Sequence, residues 1–583
     1  MRIKSRANRA LHRFWVQFTL TPFGCLLRLF TGRMFHGGEL GSGELDAGMG
    51  TVLILMAMPG LFVSLLTFEK YGHLILWLRG GRPFDPFKAT LPDEYFFIVL
   101  SLVVSAGAAL WLWDSIFLDR RDYTNVVPLP VKLSSIFLAN LCAILFVTAL
   151  FTTVANAASV VLFPIAVVGS QSSLSVFLRF AGGHFISVLT ASVFGCFAVF
   201  GLTGLLMALL PTPTFRRISH LARFLMAIVL LGLLTSSFVV PELLSEIAIP
   251  IAQHLALLPP FSFLGLTRTM WGSGGEPFVP EMARSAIIAL AVGFIVTLLA
   301  YAASFRRIFL RIPETSESGP FPRSQFGTAP LGWLNKVVLR GRPQQACYQF
   351  VARTLLRSER HLQIFLGFLA LGLVLSANEL SSATDLHGII ADKVPSIDVL
   401  SVPFVLSFCI IAGLRLAFEI PAELRANWVF RFWLDRDQHS ARAIARHALL
   451  VFALPFLLPL CFVLTLVFWG WAIAALHTAI VALSTVVLAE VSLLRFRKLP
   501  FTCTYPPFKS HSGLVVVAYL FAFLFYTGYL VQIERWSLFD PWRTICFIPP
   551  VAAVLVGAYY YRNQMLDLDK QLLFEEAGSS TYL

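Results

Sequence analysis

Phe96 to Trp113 reads F-F-I-V-L-S-L-V-V-S-A-G-A-A-L-W-L-W, and the chain then turns polar, with D-R-R-D-Y-T-N-V-V-P-L-P from Asp119 to Pro130. A second apolar run follows from Ser134 to Val160. About 20 apolar residues in a helix cross a hydrocarbon core of roughly 30 Å. Within that core only a helix or a closed barrel satisfies its own backbone. The stretch therefore reads as span, charged turn, span. A second charged stretch, P-A-E-L-R-A-N-W from Pro421 to Trp428, follows the second apolar run of the other half of the chain. The pattern predicts one device used twice.

Working outward, further apolar runs lie at about Thr51 to Phe68, His184 to Leu210, Leu221 to Val240 and Arg284 to Phe305. A second series runs from Leu362 to Ser376, Val399 to Phe418, Ala448 to Gly470, Trp471 to Leu493, Gly513 to Ile533 and Pro541 to Tyr561. Only 13% of the 583 residues are charged, about half the usual share of a soluble domain, and mean hydropathy is +0.76. The expected fold is an all-α integral membrane protein of about twelve transmembrane helices in two parallel six-helix repeats. Both repeats start and finish on one side, so their relation is parallel. The expected layout is 1–50 as a cytoplasmic and interfacial segment, 51–305 as the first half and 306–361 as a cytoplasmic linker. The second half is 362–561, and 562–583 is a cytoplasmic tail. In the first segment Arg6, Arg9 and Arg13 recur at helical spacing opposite Leu11, Phe14, Trp15 and Phe18, which suits a helix lying in the membrane interface.

The net charge of +13 reflects topology and not a nucleic-acid partner. Roughly three quarters of the 45 Lys and Arg share a side with the N-terminus, which places both termini in the cytoplasm of a multi-pass cell-membrane protein. The loop from Glu69 to Tyr95 fits least well, because Lys70, Arg79, Arg82 and Lys88 then lie outside.

The chain offers little catalytic chemistry, and no enzymatic role, cofactor or metal is expected. The eight cysteines form no C-x-x-C pair. Gly43 to Gly48 has the glycine spacing of a phosphate loop, but Met49 and Gly50 stand where Lys and Ser or Thr are needed. The spans look nearly free of charge, which argues against a proton-coupled carrier. Glu490 and Arg415 lie near inner span ends and are expected to reach the interface by snorkelling. His477 is the deepest titratable side chain, and it reads as a histidine hydrogen-bonded between helices in preference to a proton relay.

At this point the residues resemble the membrane subunits of ABC exporters of the type-2 permease class. In that family a cytoplasmic coupling helix between the second and third spans docks on a separate ATPase, and many members carry an acidic-basic cluster followed by P-L-P there. Asp119, Arg120, Arg121, Asp122, Pro128, Leu129 and Pro130 match in place and type. The second copy, with Glu423, Arg425, Asn427 and Trp428, has the position but lacks P-L-P. The family also has an outer re-entrant element before the sixth span, often resembling L-P-P-F-W-F-L-G-L, and Leu258 to Leu266 reads L-P-P-F-S-F-L-G-L. The resemblance implies an outer gate at Pro259, Pro260, Phe261 and Phe263. The second half has only Glu534 to Asp540 as its outer loop at this place, too short for a re-entrant pair.

The resemblance implies a permease of an ATP-driven exporter, partnered by cytoplasmic ABC ATPase subunits and the lipid bilayer. Its substrate would be a small amphiphile, a lipid-like molecule or a glycan. A span alone transmits no work, so a rigid cytoplasmic element must carry the partner's movement to the helices. The alternative is a secondary carrier of the major facilitator type, also with six plus six spans. F-L-D-R-R-D-Y-T resembles that family's loop motif but lacks its glycines.

Overall fold

The computed structural model describes residues 21–36, 45–78, 90–113, 126, 128–168, 173–237, 258–272, 279–309, 342–382, 395–422, 427–434, 438–494, 496, 498–503, 512–538, 543 and 548–568. Among them every regular element is a helix. Ten of these helices are long and apolar enough to cross a membrane. The chain divides into two compact units, one comprising residues 1–221 and 229–319, the other 222–228 and 320–583.

The first unit is built from α1 (Pro22–His36), α2 (Leu45–Leu78), α3 (Leu91–Trp111), α4 (Leu133–Val168), α5 (Leu174–Leu209), α6 (Thr212–Ser236), the short α7 (Pro259–Trp271) and α8 (Val279–Phe309). Residues 222–228 of α6 group with the other unit. The second unit holds α9 (Arg342–Arg357), α10 (Glu359–Ser382), α11 (Ile397–Ala417), α12 (Asn427–Leu434), α13 (Gln438–Trp469) and α14 (Trp471–Ser492). Next come α15 (Ser512–Leu524), a π turn (Phe525–Tyr529), α16 (Leu530–Leu538) and α17 (Ile548–Leu568). Prolines inside α2, α4, α11 and α13 leave those helices continuous, as helices in apolar surroundings tolerate when neighbours satisfy the freed carbonyls.

In the first unit α3, α5 and α8 run parallel, and their register is fixed by polar bonds between helices. Glu94 meets His184, the Ser192 hydroxyl donates to the Ser101 carbonyl at 3.1 Å, and the Cys196 thiol to the Ser105 carbonyl at 3.5 Å. Thr297 and Ser304 of α8 donate to the carbonyls of Phe197 and Gly204 of α5 at 3.0 and 2.7 Å. Across α4, the Asn156 amide donates to Ser192 at 2.7 Å, and Ser101 donates to Asn156 at 2.5 Å. Hydroxyl and amide groups of this kind hold helices together where water is excluded.

The second unit centres on α11, whose residues from Val399 to Leu414 are buried. α10 packs along it, and α13 and α14 close the other side. The first long helix packs differently in the two units: α2 lies chiefly on α4, whereas α10 lies on α11.

The interfacial helix at Arg6 to Phe18 lies outside the described residues, and the described helix near it is α1, which buries Leu26 and Phe30 against α4. The expected linker 306–361 contains α9, whose Cys347, Tyr348, Val351 and Leu355 face inward. Their spacing over two turns gives α9 one apolar stripe, and it packs on α13. Glu534 is helical and buried, not in a loop.

α10 and α11 approach through glycine: a Cβ on Gly413 would lie 2.6 Å from the Phe368 Cβ, whereas one on Gly367 would meet nothing within 4 Å. Gly413→Ala is expected to destabilise the chain by about 1–3 kcal/mol through overpacking. Gly367→Ala, by contrast, should leave stability unchanged or raise it slightly. Thermal unfolding of the two variants in one detergent checks the pair.

Candidate functional site

The first sequence-assigned coupling stretch is only partly described. Asp119, Arg120, Arg121 and Asp122 lie outside the described residues, whereas Pro128, Leu129 and Pro130 form an exposed turn. It is closed by the Leu129 amide donating to Val126 at 3.2 Å and the Val131 amide donating to Leu129 at 2.7 Å. Val126 is buried and anchors its start.

Of the second stretch, Glu423 and Arg425 lie outside the described residues. Asn427 is buried and turned inward, its amide donating to the Thr502 carbonyl at 2.6 Å. Trp428, next in sequence, is 70% exposed. Asn427 therefore positions the element, and Trp428 is the face it presents.

Behind this element lies an anchoring node that the sequence reading did not find. α11 ends at Ala417, and the chain from Phe418 on is bound to residues 498–503, which follow α14. The Ala422 amide donates to the Phe501 carbonyl at 2.9 Å, and the Phe501 amide to the Phe418 carbonyl at 3.3 Å. Phe501 has φ +67°, a left-handed conformation that costs a side-chain-bearing residue about 1–3 kcal/mol. Its buried ring offsets this by packing edge-on against Phe418 and His361, at 5.4 and 4.5 Å between centroids. His361 Nε2 donates to the Ile420 carbonyl at 2.9 Å, which ties the start of α10 to the same turn.

Charge completes the node. The Lys498 ammonium, 3% exposed, binds Glu419 and donates to the Cys503 carbonyl at 2.8 Å. Arg415 binds the other oxygen of Glu419, donates to the Ser492 carbonyl at 3.1 Å and lies over the Phe496 ring. Burial pulls Lys498 below the ordinary lysine range, against the opposing pull of Glu419. Glu490 is likewise paired, with Arg446 at 2.9 Å and Arg442 at 3.6 Å. Arg415 and Glu490 thus find protein partners, where snorkelling to the interface was expected.

At the other end of the first unit, α7 holds the four residues assigned to an outer gate. Pro259 and Pro260 occupy its first turn, where no amide donor is needed. Its 13 residues make a helix about 20 Å long, too short to cross a bilayer. Pro260, Phe261 and Phe263 are buried. Phe261 packs on Tyr95 and Phe263 on Phe194, at 5.0 and 5.7 Å. Trp271 stacks on Phe180 at 4.6 Å and donates to its carbonyl. Gly272, at φ +88°, ends the helix in the left-handed conformation open to glycine.

The long helices are not free of buried ionisable side chains. Glu94 Oε2 lies 2.7 Å from His184 Nδ1, with both side chains 0% exposed. The Thr267 hydroxyl of α7 donates to Glu94 Oε1 at 3.1 Å. In the second unit His477 Nδ1 lies 2.7 Å from Glu534 Oε1, again with both side chains 0% exposed. His477 is therefore bonded between helices, but its partner is a carboxylate. Among the described residues no three of His, Cys, Asp and Glu gather as a metal site would require.

No family model matches this chain, and no curated protein or solved structure does so either. Lys498→Met is expected to leave Glu419 half-paired in a buried node and to cost on the order of 3 kcal/mol. Lys498→Arg should recover part of that loss. Chemical unfolding of the detergent-solubilised variants measures both.

Proposed function

We propose that this chain is the membrane-spanning permease of an ATP-driven exporter of the type-2 ABC class, with two parallel six-span halves in one polypeptide and both termini cytoplasmic. The observation that carries the reading is the exposed Pro128-Leu129-Pro130 turn after α3, matched by the exposed Trp428 opening α12 after α11. Each follows the second long helix of its unit, where the resemblance puts the contact with the ATPase. An element meant to receive force must be exposed at its tip and rigid behind it. The node of Glu419, Lys498, Phe501 and Asn427 meets the second requirement. In this reading α7 is the outer gate, and a chain without a phosphate loop takes its energy from a cytoplasmic ATPase subunit. The substrate is an amphiphile, a lipid-like molecule or a glycan.

A second reading, a secondary carrier of the major facilitator type, is favoured by the two buried histidine–carboxylate pairs, since charged groups inside a bundle often serve ion coupling. The two readings differ in their partner. Purification of the full chain from its native membrane is expected to bring down an ATPase containing a phosphate loop. With that subunit present, Asp119→Lys/Asp122→Lys should lower permease-stimulated ATP hydrolysis at least about tenfold while membrane insertion stays normal. An unchanged ATPase rate in the double variant overturns the coupling assignment, and absence of an ATPase from the purified material favours the carrier.

A further inference from the structure

The most unusual chemistry in the first unit is the Glu94–His184 pair, and it stands apart from the coupling surface. Charging two groups away from water is expensive, and a buried ion pair often contributes less to stability than apolar side chains of the same volume. Packing alone therefore gives a poor account of it. Three further observations point to proton chemistry. Among the described residues, His184 Nε2 is buried without a partner, and so are the Ser187, Thr152 and Ser105 hydroxyls. All four belong to α3, α4 and α5, whose contact is crossed by the Ser101, Asn156 and Ser192 bonds. Polar atoms left in this state inside a bundle are sites where water or a proton is held. The third observation is the recurrence of an equivalent pair, His477–Glu534, with the same 2.7 Å contact through Nδ1 and again an unpartnered His Nε2.

We infer that Glu94 and His184 form a proton-binding site that latches α7 through Thr267. The pair is neutral when it holds one shared proton. A second proton converts imidazolium–carboxylate into imidazolium beside a neutral carboxylic acid and leaves one uncompensated buried charge. The site relieves this by opening to water. α7 is the element placed to move, because among the described residues it is joined to the pair through the Thr267 hydroxyl on Glu94.

Among the described residues, the surrounding charges do not neutralise the added proton. On α3, Asp93 is engaged by Lys70 and Tyr71 of α2, and Tyr95 packs on Phe261. α4 carries no acid or base. Arg179 of α5 is exposed, Arg268 of α7 is half-buried, and Glu281 and Arg284 of α8 are exposed. The inference holds whichever energy source drives the protein.

Hydrogen exchange of the full chain in lipid nanodiscs tests it, read as protection factors corrected for the intrinsic pH dependence of exchange. In the native chain the α7 amides from residue 262 to 271 are expected to lose at least about tenfold in protection between pH 7 and pH 4.5, while α11 stays unchanged. Glu94→Gln/His184→Gln should give the same α7 protection at both pH values. Thr267→Val should loosen α7 already at pH 7, with the pair itself intact. Native α7 protection that is flat with pH overturns the inference, as does a double variant that keeps the native drop. Thr267→Val behaving like the native chain at both pH values, or α11 loosening together with α7, overturns it as well. If the double variant does not fold, the native chain and Thr267→Val still decide.

Discussion

A polar atom buried inside these helical units is costly unless it is bonded, and this constraint fixes how the helices meet. In α3, α5 and α8 hydroxyl donors reach carbonyls on the neighbouring helix at matching heights. Glycines allow the approach: a Cβ on Gly195 would lie 2.8 Å from the Leu102 carbonyl oxygen, and one on Gly204 would lie 3.0 Å from the Ala300 Cβ. Apolar contacts among long helices are permissive, since one leucine face resembles the next. A hydroxyl bonded to a particular carbonyl is not permissive, because a shift of one residue along the helix moves it 1.5 Å and breaks the bond. Polar bonds choose the register, and dispersion between close-packed glycine faces stabilises it.

The same reasoning separates the two ends of the second unit. At the end of α11 the polar groups bind backbone carbonyls of neighbouring connections, and strain at Phe501 is tolerated because its ring and both its backbone polar groups are used. A turn bound by so many independent contacts moves as one body. Near the opposite end α15 and α16 are joined by a π turn. A π turn inserts one residue into the helical repeat and rotates everything beyond it. Tyr526 within the turn meets Ser407 of α11 at 3.1 Å, and Glu534 beyond it meets His477. The bulge allows one continuous helix to satisfy both.

Hydropathy makes the long helices legible, because length and absence of charge are properties of the sequence alone. The buried pairs escape the same procedure for an identifiable reason. A span boundary set at Phe96 excludes Glu94 by two residues, although Pro92 at the start of α3 marks where the helix begins. Glu534 is lost to an expected loop because Gln532, Glu534 and Arg535 break the apolar run, and the residue that buries the glutamate lies on another helix. Partners distant in sequence are not readable from one chain. The same holds for Asn427, whose neighbours in sequence suggest exposure while Thr502, 75 positions on, receives its amide.

The two histidines stand on the fourth long helix of their units, α5 and α14, yet their carboxylates come from different helices. Glu94 belongs to the second long helix, whereas Glu534 lies beyond the π turn of the fifth. A clamp whose purpose is to join two given helices would keep both helices. Here the imidazole keeps its place and the carboxylate arrives from whichever element passes it, in one unit directly and in the other with the help of a bulge. What the two places share is the chemistry: an acid and a base in contact and buried, with one imidazole nitrogen unpartnered among the described residues. A requirement for packing is met by many side chains of similar volume, but a buried contact between an acid and an imidazole is met by few, and these two pairs make it by separate routes.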